Sequence, residues 1–267
     1  MPRSTLSVTI ITLNEADNLA RTLASVRFAD EIVVVDSGST DRTVEIAKSF
    51  GAKVFTEAWK GFALQKNSAI DKCMGTWVLS LDADEELTAD LQAEIRSMLD
   101  ADEQITPPVD GYWLRLRHVF LGRWMRYGGY YPDMKLRLFR RVTSTGVAHF
   151  TDRPVHESVQ VAGRVKTMKE DFLHHGYPNL DVYLEHMNRY STLGARIVAA
   201  KGKTSRLWPA FCWNVALVPL LTFVWNYIFR LGFLDGREGL LLHLYHSAYI
   251  SWKYAKAWRM GRGADPV

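Results

Sequence analysis

The chain has 267 residues, 48% of them hydrophobic, enough to bury a sizeable core and suited to one catalytic domain with an appendage. Its 33 basic and 29 acidic residues leave a formal charge of +4, a mild excess that suits phosphate-bearing ligands or an anionic lipid surface and gives no ground for a nucleic-acid partner. Cys73 and Cys212 lie far apart with no ligand spacing around either, which argues against a disulfide framework or a zinc site and for a reducing compartment.

The opening MPRSTLSVTIITLNE holds no apolar stretch of signal-peptide length, so the expected compartment is the cytoplasm. Ser7 to Thr12 reads as a first strand, followed by Leu19, Leu23 and Val26 at helical spacing after Asn14. Glu31 to Val35 is a second strand. Thr40 to Phe50 is a helix with Val44, Ala47 and Phe50 on one side, closed by Gly51. Lys53 to Phe55 is a third strand, and a helix through Ala63, Ala69 and Ile70 stops at Gly75. Trp77 to Leu81 is a fourth strand, after which Thr88 caps a helix bearing Leu91, Ile95, Met98 and Leu99. This alternation predicts an α/β fold with helices packed on a mainly parallel sheet. Gly111 to Phe120 and Lys135 to Arg141 read as strands of a mixed sheet, with Gly128, Gly129 and Pro132 in the loop between them. Beyond about Asp171 the chain is expected to turn helical; the run from Leu207 to Phe229 carries no formal charge, and Gly239 to Trp252 is a shorter apolar stretch.

Ligands of open α/β sheets gather beyond the carboxyl ends of the strands, where loops diverge and helix starts present unpaired N–H groups. The first strand runs into Thr12-Leu13-Asn14-Glu15, the second into Asp36-Ser37-Gly38-Ser39-Thr40-Asp41, and the fourth into Asp82-Ala83-Asp84-Glu85-Glu86. Each has a plain alternative: Asn14, or Ser39 and Thr40, as helix caps, and the acidic cluster as a solvated turn. Their recurrence in one βαβ array points to a shared site. Carboxylates spaced as Asp82-x-Asp84 on a tight turn suit a hard divalent cation that keeps coordination places for phosphate oxygens and offsets charge on a departing diphosphate.

The segments SVTIITLNE, VVVDSGSTDRT, QKNSAI and LSLDADEEL, in that order, resemble the family 2 inverting glycosyltransferases of GT-A fold. The later FLDGREGLLLHLYHSAYISWKYAK resembles the carboxyl-terminal part of bacterial lipopolysaccharide-core β-glucosyltransferases. The resemblance implies a GT-A domain over residues 1–170, a Rossmann-like mixed and mainly parallel sheet with flanking helices. It also implies a helical acceptor and membrane-docking region, amphipathic or apolar, over residues 171–267. Thr12, Leu13, Asn14, Glu15 and Ser39 would line the nucleotide pocket, and Asp36 would hold the uracil or ribose. Lys66 and Asn67 match the region that approaches the donor, although Gln-Lys-Asn stands here where Ala-Arg-Asn is more familiar; Lys66 would act as a point cation on the diphosphate. In Asp82-Ala83-Asp84, Asp84 resembles the direct ligand of a Mg or Mn ion and Asp82 the contact to ribose or a metal-bound water.

Inversion needs a carboxylate to take the proton of the attacking acceptor hydroxyl. Many relatives draw it from a Glu-Asp pair in the second half of the domain, and this sequence has no such pair from Gln104 to Lys169. Arg153-Pro154-Val155-His156-Glu157 offers Glu157 as the candidate base and His156 as a candidate metal or phosphate contact, with His156 and Arg153 opposing any rise in its pKa. The alternative is a solvent-facing strand start. Asp133, in Tyr130-Tyr131-Pro132-Asp133, is the rival base, its aromatic neighbours forming an acceptor-sugar platform or a packed loop. Arg137, Arg140 and Arg141 are candidates to meet an acidic acceptor or lipid phosphates, or line a solvated strand face.

A spanning helix needs about 20 apolar residues, a length that Leu207 to Phe229 reaches. Pro209, Asn214, Pro219 and Asn226 interrupt it, and Trp208, Trp213 and Trp225 are spread along it instead of marking two ends. The expectation is helices lying in the membrane interface or forming a shallow re-entrant hairpin, flanked by Lys201, Lys203, Arg206, Arg230, Lys253, Lys256 and Arg259. A single span, or helices folded back as core or dimer contact, are the alternatives. The whole reads as metal-dependent, inverting transfer from a nucleotide-diphosphate sugar, UDP-glucose favoured, to a lipid-linked glycan such as lipopolysaccharide core, on the inner face of the cytoplasmic membrane. Two rival readings are a sugar-phosphate nucleotidyltransferase, whose glycine-rich basic loop Thr12-Leu13-Asn14-Glu15 lacks, and a non-catalytic membrane scaffold, which the presence of Asp36, Asp82 and Asp84 opposes.

Overall fold

Three mainly apolar runs, β1 (Leu6–Thr12), β2 (Glu31–Asp36) and β4 (Trp77–Asp82), the first two rich in β-branched residues, are buried on both faces, as parallel strands covered by helices require. The computed structural model describes residues 3–143, 146–151 and 158–262. Its chain divides into two compact units, Met1–Leu116 with Asp133–His175 and Arg117–Pro132 with Gly176–Val267.

In the first unit β1 pairs in parallel with both β2 and β4, with Thr12 opposite Asp36 and Ile11 opposite Asp82, so three strands end along one edge. The elements that follow them are α1 (Ala16–Ser25), α2 (Thr43–Ser49), β3 (Lys53–Thr56), α3 (Phe62–Asp71), β5 (Glu85–Leu87) and α4 (Ala89–Ala101). Thr88 caps α4 as the sequence suggests, its hydroxyl accepting the Leu91 N–H at 3.2 Å. The later strands are β6 (Gly111–Phe120), β7 (Arg123–Trp124), β8 (Asp133–Arg140), the short ribbons β9 (Val142–Thr143) with β10 (Gly146–Val147) and β11 (His149–Phe150) with β12 (Val159–Gln160), and β13 (Val165–Tyr177). Among the described residues the main sheet runs β3-β2-β1-β4-β8-β6-β13-β5, with β7 paired to β6. One face packs Trp77, Leu79, Leu81 and Phe172 with Leu19, Leu91 and Ile95; the other packs Val33, Val35, Val78 and Phe139 with Ala69 and Ile70 of α3.

Two expectations are corrected here. The chain does not turn helical at Asp171: β13 continues to Tyr177, and the first helix beyond it starts at Leu180, where Asn179 accepts the Val182 N–H at 2.9 Å. The acidic cluster is not wholly a turn either, because Glu85–Leu87 is drawn into the sheet by antiparallel pairing with β13, Glu85 opposite His174. Arg140 and Arg141 also face inward. Arg140 donates to Asp102 Oδ1 at 2.6 Å and lies over the Trp77 ring, and Arg141 donates to the Gly75 carbonyl at 3.2 Å.

The second unit is helical: α5 (Leu180–Ala200), α6 (Trp208–Cys212), α7 (Val218–Phe223) and α8 (Gly236–Met260), with π-helical turns at Trp213–Leu217 and Val224–Phe229. Phe120, Met125, Tyr183, Met187 and Leu242 form its core. Asp235 accepts the N–H groups of Arg126 and Tyr127 at 3.2 and 2.8 Å, fastening the 117–132 loop onto the start of α8. Pro219 brings no N–H to the helix, and the Val215 carbonyl four residues back accepts the Ser251 hydroxyl of α8 at 2.7 Å. Trp208–Phe229 is long and apolar enough to cross a membrane, and 6% of its most apolar stretch is buried.

Candidate active site

The parallel register of β1 and β2 brings the two loops after them side by side. Asp36 is buried, and its carboxylate accepts the N–H groups of Gly38 and Ser39, both at 2.9 Å, and the hydroxyls of Thr12, at 3.1 Å, and Ser39. Four donors take up about all the lone-pair positions a carboxylate offers, so Asp36 is the organiser of its loop. Gly38 has φ 96°, a left-handed conformation that costs glycine little. Asn14 adopts φ 55°, and its N–H donates to Ser39 Oγ while its Oδ1 accepts the Thr40 N–H, each at 2.8 Å. Asn14 therefore stitches the two loops together as well as preceding a helix. The Glu15 N–H donates to Thr43 Oγ1 at 2.8 Å, and burial pushes the Glu15 carboxyl up against the lowering effect of its hydrogen bond from Asn18. Leu13, between these polar residues, is half exposed.

At the end of β4, Asp82 is gripped from both sides: Lys66 Nζ stands 2.9 Å from Oδ1 and Arg137 Nη2 stands 2.6 Å from Oδ2. The same Arg137 nitrogen lies 2.6 Å from Glu85 Oε1, and the Asp82 N–H donates to Glu85 Oε2 at 2.9 Å. Desolvation pushes the Asp82 carboxyl up, but Arg137 and Lys66 together outweigh it and hold the group well below the usual carboxylate range. For Glu85 the balance reverses: burial raises it, and Arg137 offsets only part of that. Arg137 is thus no surface strand residue awaiting an acidic acceptor; it holds two carboxylates of the acidic cluster.

Asp84 has a partner absent from the sequence reading. His174 Nε2, on β13, lies 3.0 Å from Asp84 Oδ2, and the next residue, His175, donates its N–H to the Asp84 carbonyl at 2.9 Å. Burial works against a charged His174, yet the attraction of Asp84 prevails and raises it to about 9, so the imidazole is protonated at neutral pH; Asp84 is lowered in turn, His174 overcoming desolvation. His175 in its turn contacts Glu86 Oε2 at 2.9 Å. The His174-His175 dipeptide was the available signal, but its meaning depends on a strand pairing far away in sequence.

The remaining candidates divide. Lys66 is buried on α3, whereas Asn67 is committed to the backbone of Phe150, donating to its carbonyl at 3.0 Å and accepting its N–H at 2.6 Å. Asn67 fastens α3 to β11, and the approach to the acidic turn falls to Lys66. Ala83 is buried, and its carbonyl accepts the Thr22 hydroxyl at 2.7 Å, tying the turn to α1. Asp133 begins β8, which runs antiparallel to β4, so it lies toward the sheet edge where β4 ends; it pairs with Lys135 at 3.1 Å. Glu157 and His156 lie outside the described residues.

Among the described residues, no group of three or more His, Cys, Asp and Glu side chains forms a ready-made metal cage. The Asp84–His174 pair offers a carboxylate and an imidazole to one point once the shared proton leaves. The Asp84 carboxylate is the donor that suits a hard Mg or Mn ion, whose other places a diphosphate and water would fill, with the His174 imidazole in a supporting position.

Residues 7–153 match the family model described as glycosyl transferase family 2. The chain is 32% identical over 220 residues to the lipopolysaccharide core biosynthesis glycosyltransferase LpsC of Rhizobium meliloti, covering 78% of this chain and 77% of LpsC. It is 33% identical over 215 residues to an uncharacterized glycosyltransferase of Rickettsia felis, covering 74% of this chain and 71% of that one. The mannosyltransferase PcManGT of Pyrobaculum calidifontis, solved in complex with GDP-Man and Mn2+, superposes with a TM-score of 0.50 over 96% of this chain and 88% of its own, at 15% identity, a likeness of fold alone. The family match covers more than half the sequence and contains the three parallel strand ends at Thr12, Asp36 and Asp82: the chain is a glycosyltransferase of family 2, with the GT-A fold.

Proposed function

We propose that this glycosyltransferase moves a sugar, with inversion, from a nucleotide-diphosphate donor to a hydroxyl of a lipid-linked glycan, with UDP-glucose the favoured donor and lipopolysaccharide core the favoured acceptor class. The observation that carries the reading is the meeting at one sheet edge of the Asp36 loop with an acidic turn whose two aspartates are held by three cationic groups, Lys66, Arg137 and His174. Likeness to LpsC supports the acceptor class.

In this reading the loops built by Asp36 and Asn14, with Leu13 and Glu15, receive the nucleoside. Lys66 brings positive charge to the diphosphate side of the turn, and Arg137 fixes Asp82 in place. Asp84 and His174 are the residues that would hold Mg or Mn, which supplies Lewis-acid stabilisation of the leaving diphosphate when bound. The acceptor hydroxyl gives its proton to a carboxylate on the face opposite the leaving group; Glu157 is the proposed base and Asp133 the rival. The exposed apolar helix Trp208–Phe229 supports peripheral docking on the inner face of the cytoplasmic membrane, with its flanking basic residues at the headgroups.

UDP release by the purified protein, measured over a panel of UDP-sugars with detergent-solubilised truncated lipopolysaccharide, with and without Mg or Mn, tests this. Metal-dependent release with one donor supports it. UDP binding without turnover on any donor or acceptor would favour the non-catalytic scaffold.

A further inference from the structure

In the helical unit, two cavities of about 400 and 490 Å3 share Phe211 and Trp258 as lining residues. Their shared part is a run of aromatic rings: Trp208 stacks on Phe211 with centroids 5.7 Å apart, and Phe211 meets Trp258 edge-on at 5.1 Å. Arg206 and Arg262 line the same groove and Arg259 lines the adjoining cavity. The guanidinium of Arg262 lies over the Trp258 ring at 5.0 Å, which leaves its in-plane N–H groups for another partner, and Arg206 is steadied by donating to the Gly261 carbonyl at 3.0 Å.

Among the described residues none of these three arginines pairs with a carboxylate. The stretches that carry them, His186 to Leu234 and Gly239 to Arg262, contain no Asp or Glu, and Asp265 lies outside the described residues. The apolar side is equally uncovered, with Leu207 and Trp208 each 74% exposed and the exposed stripe continuing through Trp213, Leu220, Trp225 and Phe229. Free phosphate would satisfy the arginines and leave the rings in water; a neutral apolar surface would do the reverse. A lipid with an anionic headgroup meets both demands, its phosphate bridged by guanidinium forks and its acyl chains against the indoles.

We propose that the groove between α6 and the carboxyl end of α8 is a headgroup site for an anionic phospholipid, with Arg206 and Arg262 on the phosphate and Trp208, Phe211 and Trp258 on the glycerol and upper acyl region. The site rests on the membrane-docking reading above and adds the lipid class and the residues that select it. Neither arginine belongs to the donor site, so their replacement leaves UDP release in detergent unchanged.

Sedimentation of the full chain with phosphatidylcholine vesicles, with and without phosphatidylglycerol, tests the proposal. The chain binds the phosphatidylglycerol vesicles more tightly, and Arg206→Gln with Arg262→Gln loses about tenfold or more of that preference, taking roughly fivefold per basic residue at an anionic surface. Unaltered thermal unfolding keeps the variant informative, and Trp208→Ala with Phe211→Ala weakens binding to both kinds of vesicle. Equal binding to both vesicles, or an unaffected arginine variant, overturns the headgroup site while docking stands. No binding to any vesicle by protein that still releases UDP overturns docking itself. Tight binding of inorganic phosphate without vesicles, or a dimer in solution that the aromatic substitutions dissolve, also overturns the proposal, in favour of a soluble anion or a second copy of the chain.

Discussion

His174 Nε2 lies 3.0 Å from Asp84 Oδ2, joining a strand from the far side of the sheet to the acidic turn after β4. The contact exists because β13 pairs with β5, which puts His174 directly opposite Glu85. A residue 90 positions downstream thereby faces the second aspartate of the Asp82-x-Asp84 turn.

Asp84→Ala is expected to abolish transfer, and His174→Ala to raise the Mn concentration needed for half-maximal UDP release by about tenfold or more, the scale on which metal sites respond to loss of a supporting group. Metal titrations of each variant check this, and an unchanged Mn dependence in both would remove the pair from metal binding.

Arg137→Ala leaves Asp82 and Glu85 facing each other with their bridging cation gone, and the Arg137 side chain is only 10% exposed. Breaking a buried pair in this way costs about 3–5 kcal/mol, which urea unfolding measures. Arg137→Ala with Glu85→Gln should recover part of the loss, since one of the two carboxylates is then neutral.

Glu57 accepts from Lys60, Lys72 and Ser68, at 2.8, 2.6 and 2.7 Å, and these contacts, the Lys60 hydrogen bond foremost, lower its carboxyl from 4.5 to about 2. Its folded pKa is depressed, so its contribution to stability is complete above 4.5 and disappears as the pH falls toward about 2. Glu57→Gln should lower Tm by about 1–3 °C at neutral pH, in keeping with a surface network. Thermal scans across this acid range should show wild type and variant converging.

Glu157→Gln should leave donor affinity nearly intact and cut turnover by about 10²–10⁴-fold, the usual contribution of a positioned base. Steady-state kinetics beside UDP binding separates the two effects. Undiminished turnover would move the role to Asp133.

Ending the chain before Leu207 removes α8, whose Leu242 packs with Tyr183 and Met187 in the core of the helical unit. The truncated protein should therefore lose helical signal from α5 as well and precipitate more readily, which circular dichroism and solubility measurements check.

The parallel half of the sheet was legible because β1, β2 and β4 are buried on both faces and appear as mainly apolar runs, charged only at their ends and broken inside only by small hydroxyl residues such as Ser7, Thr9 and Ser80. Asp36, Asp82 and Asp84 could be placed because they follow such runs directly. What escaped depends on pairing across long sequence distances. Arg137 alternates along β8 like a residue of a solvated face, and only the fold brings Asp82 and Glu85 to it. β13 carries buried Met168, Asp171 and Phe172 in no regular alternation, so its strand character and the placement of His174 were hidden. The Gln-Lys-Asn segment gives no sign that Asn67 bonds the Phe150 backbone, because that contact joins residues 83 positions apart.

The loop after β2 is held in shape by its own hydrogen bonds before any nucleotide arrives, with Asp36 holding Gly38, Ser39 and Thr12 and Asn14 holding Ser39 and Thr40, while among the described residues the buried Ser37 hydroxyl has no partner. A donor entering such a pocket need not order it, so little conformational entropy is lost on binding there. On the proposed reading, nucleotide capture at this end is the docking of a flexible ligand on a stiff template, with selectivity for the base set by the template's shape instead of by a loop that closes around whatever it meets.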